Sequence, residues 1–128
     1  MILGMVRGAI VGESLRLGAV VAGVPFIVRK LERIDAGRRE QPPQWTLLWF
    51  EAADADADRL AELLADALEA RGGWYADFHS DSDVTVVFSG RIFRYRRGDR
   101  SERAKVEAYA RSIGVPDEQL DWAEQADS

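Results

Sequence analysis

The chain's only histidine lies among carboxylates, in the stretch WYADFHSDSDVTVVFSGRIFRYRRGD at residues 74–99. Asp77 and His79 are two residues apart, and side chains at positions i and i+2 of a β-strand share one face of the sheet. Such a pair could act as an acid-base dyad in which the carboxylate orients the imidazole. Asp77 and His79 are therefore the candidate catalytic residues.

The surrounding sequence carries no motif that would complete an active site or a metal centre. The stretch HSDSD lacks the glycine and the distal glutamate of a Ca²⁺-binding loop, and the chain has no cysteine to serve as nucleophile or zinc ligand. No G-x-S-x-G and no glycine-rich phosphate loop is present. Because Asp and Ser favour turns, HSDSD is interpreted as a solvated hairpin loop. We expect no metal and no cofactor, and we favour a non-enzymatic function over an enzymatic one.

Two β-hairpins are predicted around this loop. VTVVF and RIFRY flank Ser89-Gly90, a two-residue hairpin signal that pairs Val86 with Phe93. If His79 pairs with Val84 across the polar loop, the following side chains share one face with Val84, Val86 and Phe88: Tyr75, Asp77, His79, Arg91, Phe93 and Tyr95. Polar groups over an apolar floor are typical of a pocket or of a dimer surface.

Further elements are predicted from periodicity. Residues 55–70 and 100–113 each carry one apolar stripe at helical spacing. Asp99 has the capping-box spacing to Glu102, and Gly114 is suited to end the second helix. FIVRKLERID and WTLLWFEA read as strands, and the tail PDEQLDW should make one turn that docks Leu120 and Trp122 onto the body.

These elements predict an α+β fold. We expect an antiparallel twisted sheet of about five strands in the order ββαβββα, with both helices packed on one face. The single domain should span residues 14–122, with residues 1–13 a flexible N-terminal extension and residues 123–128 a frayed tail.

Composition places the chain among ordinary globular proteins. It has 128 residues, 47% hydrophobic and 30% charged, which corresponds to one domain with a sizeable core. No apolar run approaches the roughly 20 residues that a membrane span needs. The lack of cysteine suits a reducing compartment, so a cytoplasmic location is expected.

A basic block follows the hairpins. Residues 91–105 hold seven basic and two acidic residues, a net charge of +5 in a chain whose net charge is -5. Aromatic residues interleaved with arginines on a strand can bind RNA, but the overall pI of about 4.9 argues against nucleic acid.

Three segments, GWYADF, FRYRRGD and GVPDEQLDW, resemble the motifs of a family of small uncharacterised bacterial proteins. The resemblance covers about residues 73–122 and implies a shared fold without indicating an activity. It points to Tyr75, Asp77, Arg94, Tyr95 and Asp99, and it leaves His79 outside the motifs.

The leading functional hypothesis is a cytosolic binding or interaction module, a homodimer or the docking site of a partner protein. Its open sheet face or edge would use the following residues: Tyr75, Asp77, Arg91, Phe93, Arg94, Tyr95 and Asp99. The second hypothesis is a small-molecule-binding protein or cofactor-free enzyme, with arginines holding a small anionic ligand in a pocket on the same face. Nucleic-acid binding through residues 91–105 is the third.

Overall fold

The computed structural model describes residues 4–37 and 43–122. Six strands form one sheet in which every neighbouring pair is antiparallel, in the spatial order β2-β3-β1-β4-β5-β6. The strands are β1 (Met5–Val11), β2 (Phe26–Asp35), β3 (Gln44–Ala53), β4 (Ala76–His79), β5 (Asp83–Phe88) and β6 (Arg91–Arg96). Two helices, α1 (Ala57–Ala67) and α2 (Arg100–Ser112), complete the domain. The predicted antiparallel α+β fold is confirmed, with six strands instead of about five.

The additional strand is β1, which lies inside the sheet between β3 and β4. Ala9 pairs with Trp49 on one side and with Asp77 on the other. Gly8 permits this pairing, since a Cβ at that position would lie 2.2 Å from the carbonyl oxygen of Asp77. The predicted flexible extension over residues 1–13 is therefore wrong for β1, while residues 1–3 lie outside the described part of the chain.

The two helices lie on opposite faces of the sheet, which corrects the prediction that both pack on one face. Successive side chains of a strand point to opposite faces. In β5, Val86 packs in a cluster with Val106 of α2, whereas Val87 packs in a cluster with Leu60 of α1. We call these two surfaces the α2 face and the α1 face.

The β5–β6 hairpin has the predicted register. Gly90 adopts a φ of 70° in the two-residue turn, and Val86 pairs with Phe93. His79 pairs with Val84 across the preceding loop, as predicted. The side chains of Tyr75, Asp77 and His79 therefore belong to the α2 face.

Helix α2 begins and ends as its sequence predicts. The Asp99 carboxylate accepts a hydrogen bond from the backbone N–H of Glu102 at 3.1 Å. At the other end the N–H of Val115 donates to the carbonyl of Ala110 at 3.0 Å around Gly114, which has a φ of 96°. Helix α1 ends at Ala67, before its predicted limit, because Leu68 adopts an extended backbone.

None of the helices within the described ranges is long and apolar enough to cross a membrane.

Candidate functional site

A cavity of ≈ 390 Å³ opens on the α2 face, beside the area that α2 covers. Helix α2 packs on β5 and β6, whereas the cavity floor is formed by β1, β3 and β4. The chain after α2 turns back and closes one side. We call this the tryptophan cavity, and its lining consists of Gly8, Ala9, Val11, Trp45, Leu47, Trp49, Gly73, Trp74, Tyr75, Asp77, His79, Glu118, Gln119, Asp121 and Trp122.

All four tryptophans of the chain line this one cavity. Trp45 and Trp49 are on the same face of β3 as Leu47, because they alternate with residues that point toward α1. The ring of Trp45 lies 5.4 Å from that of Trp74, just before β4. Trp122 comes from the segment after α2 and is 2% exposed. Three separate stretches of chain thus bring indole rings to one concave site.

A buried network fixes the wall that carries Trp122. The indole Nε1 of Trp122 donates to the Tyr95 hydroxyl at 2.8 Å, and the Arg103 guanidinium lies 4.7 Å from the indole centroid. Arg103 also donates to that hydroxyl at 3.2 Å and to the carbonyl of Leu120 at 3.0 Å. Leu120 and Trp122 are both buried, so the predicted docking of the tail is confirmed. The wall is held in place by directional bonds as well as by apolar contact.

Tyr75 connects this wall to the cavity floor. Its hydroxyl donates to the backbone carbonyl of Gln119, and its ring packs edge-on against Trp122 with 5.4 Å between centroids. Burial raises the pKa of Tyr75 well above its usual value, and the carboxylates of Asp77 and Asp121 raise it further. Tyr75 is therefore a neutral phenol that positions the wall, and it is not poised to act as a base.

The three segments that carry the family resemblance meet at this wall. Trp74 and Tyr75 belong to the first, Tyr95 to the second and Trp122 to the third. The first and third also touch through backbone, since a Cβ on Gly73 would lie 2.9 Å from the carbonyl oxygen of Gly114.

The charged groups of the lining are acidic. Asp77 is half-buried on the floor, next to Ala9 of β1, while Glu118 and Asp121 are exposed at the rim. Among the described residues that line the cavity, none is lysine or arginine. The site therefore carries negative charge on an aromatic background.

His79 lies at one end of the floor and contributes no positive charge at neutral pH. Burial lowers the pKa of His79, and the guanidinium groups of Arg97 and Arg7 lower it further. Asp81 acts in the opposite direction, but its effect is smaller. The imidazole is therefore neutral, and one of its nitrogens is available as a hydrogen-bond acceptor.

Two ring nitrogens of the lining are buried without a hydrogen-bond partner, Nε1 of Trp45 and Nδ1 of His79. Leaving a buried polar group unpaired costs about 1–3 kcal/mol, so such groups call for an explanation. Neither nitrogen is exposed at the surface of the open cavity, so the cavity does not present them to a ligand.

Only some of the residues predicted to form the site meet in the cavity. Tyr75, Asp77 and His79 line it together. Arg91 and Phe93 lie on the same face but next to α2, where Phe93 packs in the α2 cluster and the exposed Arg91 guanidinium is 4.8 Å from the Phe93 ring. They form part of the α2 packing and not of the cavity.

The remaining predicted residues have structural partners elsewhere. Arg94 points to the α1 face and pairs with Asp58 at 2.8 Å. Tyr95 is 5% exposed behind Trp122, and Asp99 caps α2. Because the basic block is divided between the two faces and the interior, it does not form one continuous cationic surface.

Sequence reasoning missed the contribution of β1 and β3 to the site. Ala9 and Val11 belong to the segment that was predicted to be flexible, and Leu47 and Trp49 were interpreted only as strand core. The sequence feature that could have indicated this site was the set of four tryptophans, because all four lie in or next to predicted elements.

Aromatic rings form much of the lining, and its ionisable side chains are Tyr75, Asp77, His79, Glu118 and Asp121. The described residues around the cavity include no serine, threonine, cysteine or lysine that could act as a nucleophile. Over the described ranges, no three His, Asp or Glu side chains converge as metal ligands. Asp77 and His79 share the floor, and the aromatic walls dominate its surface.

Comparison with protein-family models, with curated proteins and with solved structures finds no match for this chain.

Proposed function

We propose that this protein is a binding protein that holds a small organic molecule in the tryptophan cavity. The observation that carries this proposal is the convergence of all four tryptophans on one cavity of ≈ 390 Å³. Ligand sites in proteins are typically concave, about 300–1,000 Å³ in volume, and aromatic with a few polar groups. The carboxylates of Asp77, Glu118 and Asp121 provide such polar groups.

The proposal keeps the hypothesis of a binding module and specifies that the bound partner is a small organic molecule. It replaces the second hypothesis, in which arginines hold a small anionic ligand. Arg91, which was expected to hold an anion, is exposed outside the cavity, where its guanidinium lies over Phe93 and over Tyr109 of α2, 5.1 Å from the Tyr109 ring. We keep the cytoplasmic location as part of the proposal, on the basis of the absence of cysteine.

The test uses the neutral apolar dye Nile red and a variant that fills the cavity. Ala9 is at the centre of the floor between Trp49 and Asp77, so Ala9→Trp places an indole in the cavity. We expect the wild type to bind the dye with a saturable fluorescence increase and Ala9→Trp to lose most of it.

The matched control is Ile92→Trp, which adds the same indole at a position 40% exposed on the α1 face. This variant should bind the dye like the wild type, and circular dichroism should show all three proteins folded. Equal dye binding by folded Ala9→Trp and wild type would place the dye outside the cavity and contradict the proposal.

Self-association through the edge strand β2 is a second candidate. This strand exposes 48% of Ile27, 48% of Val28 and 64% of Leu31. An unpaired edge with apolar side chains is a template for pairing with another strand. Antiparallel pairing of two copies centred on Leu31 would place Lys30 of each copy opposite Glu32 of the other.

The same register places Arg29 of one copy opposite Arg33 of the other. Each of these guanidinium groups pairs with a glutamate of its own chain, so their charges are compensated. Light scattering after size exclusion should then give a dimer for the wild type and a monomer for Leu31→Lys. Leu17→Lys, at a loop position 99% exposed, should stay dimeric. A monomeric wild type would remove this candidate.

A further inference from the structure

We propose that the ligand of the tryptophan cavity is an organic cation, an amine or quaternary ammonium attached to an apolar body. This inference deepens the proposed function and rests on it, because it assigns the chemical class of the molecule that the cavity holds.

The charge of the lining selects for a cation. Three carboxylates reach the cavity, from Asp77 on the floor and from Glu118 and Asp121 at the rim. No described lining residue carries a lysine or arginine side chain that would attract an anion. Asp77, Asp121 and Tyr75 line the same cavity, and both carboxylates raise the pKa of the Tyr75 phenol. An ammonium group in the cavity would gain charge-assisted hydrogen bonds or Coulomb attraction from these carboxylates.

The aromatic rings favour the same ligand class. The faces of indole rings are electron-rich and attract cations within about 6 Å of the ring centroid. Two indole rings of this cavity already lie within this distance of a cationic side chain of the protein itself. The Lys30 ammonium lies 4.9 Å from the Trp49 centroid, and Arg103 lies 4.7 Å from that of Trp122.

Neither of these cations presents an unbalanced charge to the cavity. Lys30 is 3.7 Å from the Glu32 carboxylate, and Arg103 is 3.3 Å from that of Glu107. His79 is neutral at pH 7 because burial lowers its pKa. Lys30 and Arg103 are therefore compensated and His79 is uncharged. Arg7, which acts on His79, is 3.3 Å from the Glu51 carboxylate, and Arg97 acts at the same end of the floor, away from the lining carboxylates of Glu118 and Asp121 in sequence. The side chains of the lining itself carry only negative charge, and this charge determines the preference.

The experiment compares three indole compounds of similar size and different charge by isothermal titration calorimetry at pH 7. Tryptamine is a cation, tryptophol is neutral and indoleacetate is an anion. We expect tryptamine to bind roughly tenfold more tightly than tryptophol, and indoleacetate more weakly than either.

Variants that neutralise one carboxylate at a time show which carboxylate attracts the cation. Asp77→Asn should weaken tryptamine binding about tenfold, and Asp121→Asn should weaken it by a smaller factor because its carboxylate is exposed and screened. In both variants the ratio of the tryptamine affinity to the tryptophol affinity should fall, because only tryptamine carries a charge. Asp54→Asn, which changes the net charge equally at an exposed position before α1, should leave all affinities unchanged.

The outcomes separate this inference from the proposed function. If Nile red binds and Ala9→Trp abolishes its binding, but the three indole compounds show no preference for the cation or do not bind, the cavity is a ligand site and the cation assignment is wrong. If Nile red binding is insensitive to Ala9→Trp, the proposed function fails first. A tryptamine preference that survives in Asp77→Asn and Asp121→Asn would also overturn the assignment.

Discussion

The two faces of the sheet are covered to different extents, although each has one helix. On the α1 face the helix closes the core over the middle of the sheet, with Leu60, Leu64 and Phe78 at 0% exposure and Phe50 at 2%. On the α2 face the helix covers β5 and β6, and the surface over β1, β3 and β4 remains open as the tryptophan cavity.

Chain connectivity explains this difference. β3 and β4 both pair antiparallel with β1, so they run parallel to each other and require a crossover connection. Helix α1 is part of that crossover connection, which must pass over β1 in the middle of the sheet. Helix α2 follows the edge strand β6 and leads to no further strand in the described part of the chain, so no connection requires α2 to cross the sheet. The uncovered half of the α2 face is the place where this topology leaves room for a ligand.

The strongest contrast between the faces should appear when a leucine is truncated on each. Leu64→Ala removes a fully buried side chain from the α1 face and should lower the free energy of unfolding by about 2–5 kcal/mol. Leu47→Ala removes the same atoms from the wall of an open cavity and should cost less than about 1.5 kcal/mol while reducing Nile red binding. Urea unfolding measures both. Equal losses would mean that the cavity floor is as tightly packed as the core.

A second contrast lies within the α2 face, between a buried and an exposed arginine of the same helix. Arg103 is 8% exposed and bonds to Tyr95 and Leu120, so Arg103→Ala should cost about 2 kcal/mol and release Trp122 from the cavity wall. The red shift of tryptophan emission and the urea midpoint report these effects.

The control is Arg111→Ala, which removes a fully exposed guanidinium that pairs with Asp117 at 2.9 Å. This variant should unfold like the wild type, because exposed ion pairs contribute little. A stable Arg103→Ala protein with unchanged emission would show that apolar contact alone holds the wall.

The sequence predicted the local structure better than the arrangement of the elements. Alternation and the Ser89-Gly90 turn correctly predicted which side chains of β4, β5 and β6 share a face. Asp99 and Gly114 correctly marked the limits of α2, because capping is determined by a few neighbouring residues. These features depend on contacts that are close in sequence.

The errors concern contacts that are distant in sequence. Five of the seven residues of MVRGAIV are apolar, but nothing within this short segment indicates that it pairs with β3 and β4, and the close approach of β4 to β1 requires Gly8. The helices were placed on one face because sequence periodicity defines the apolar side of a helix but not the sheet face that it covers. The site was consequently predicted only in its β4 part, Tyr75, Asp77 and His79.

The smallest expected effect is a pH dependence of stability that originates in the cavity. His79 is the only histidine of the chain, so His79→Asn removes the only imidazole titration. Because burial lowers its pKa in the folded protein, the unfolded chain binds this proton more readily. The wild type should therefore have its full stability above the unfolded pKa of about 6.5 and lose stability as the pH falls toward the folded pKa.

The measurement is the urea midpoint of the wild type and of His79→Asn between about pH 7.5 and 5.5. The carboxylates titrate mostly below this range and are common to both proteins, so their contribution cancels in the comparison. The midpoint of the wild type should fall more steeply with acidification than that of the variant. Parallel curves would mean that the imidazole is as well solvated in the cavity as in the unfolded chain, and a steeper curve for the variant would mean that the folded protein favours the charged imidazole. The second result would also weaken the assignment of a cation, since a protonated His79 would add positive charge to the site.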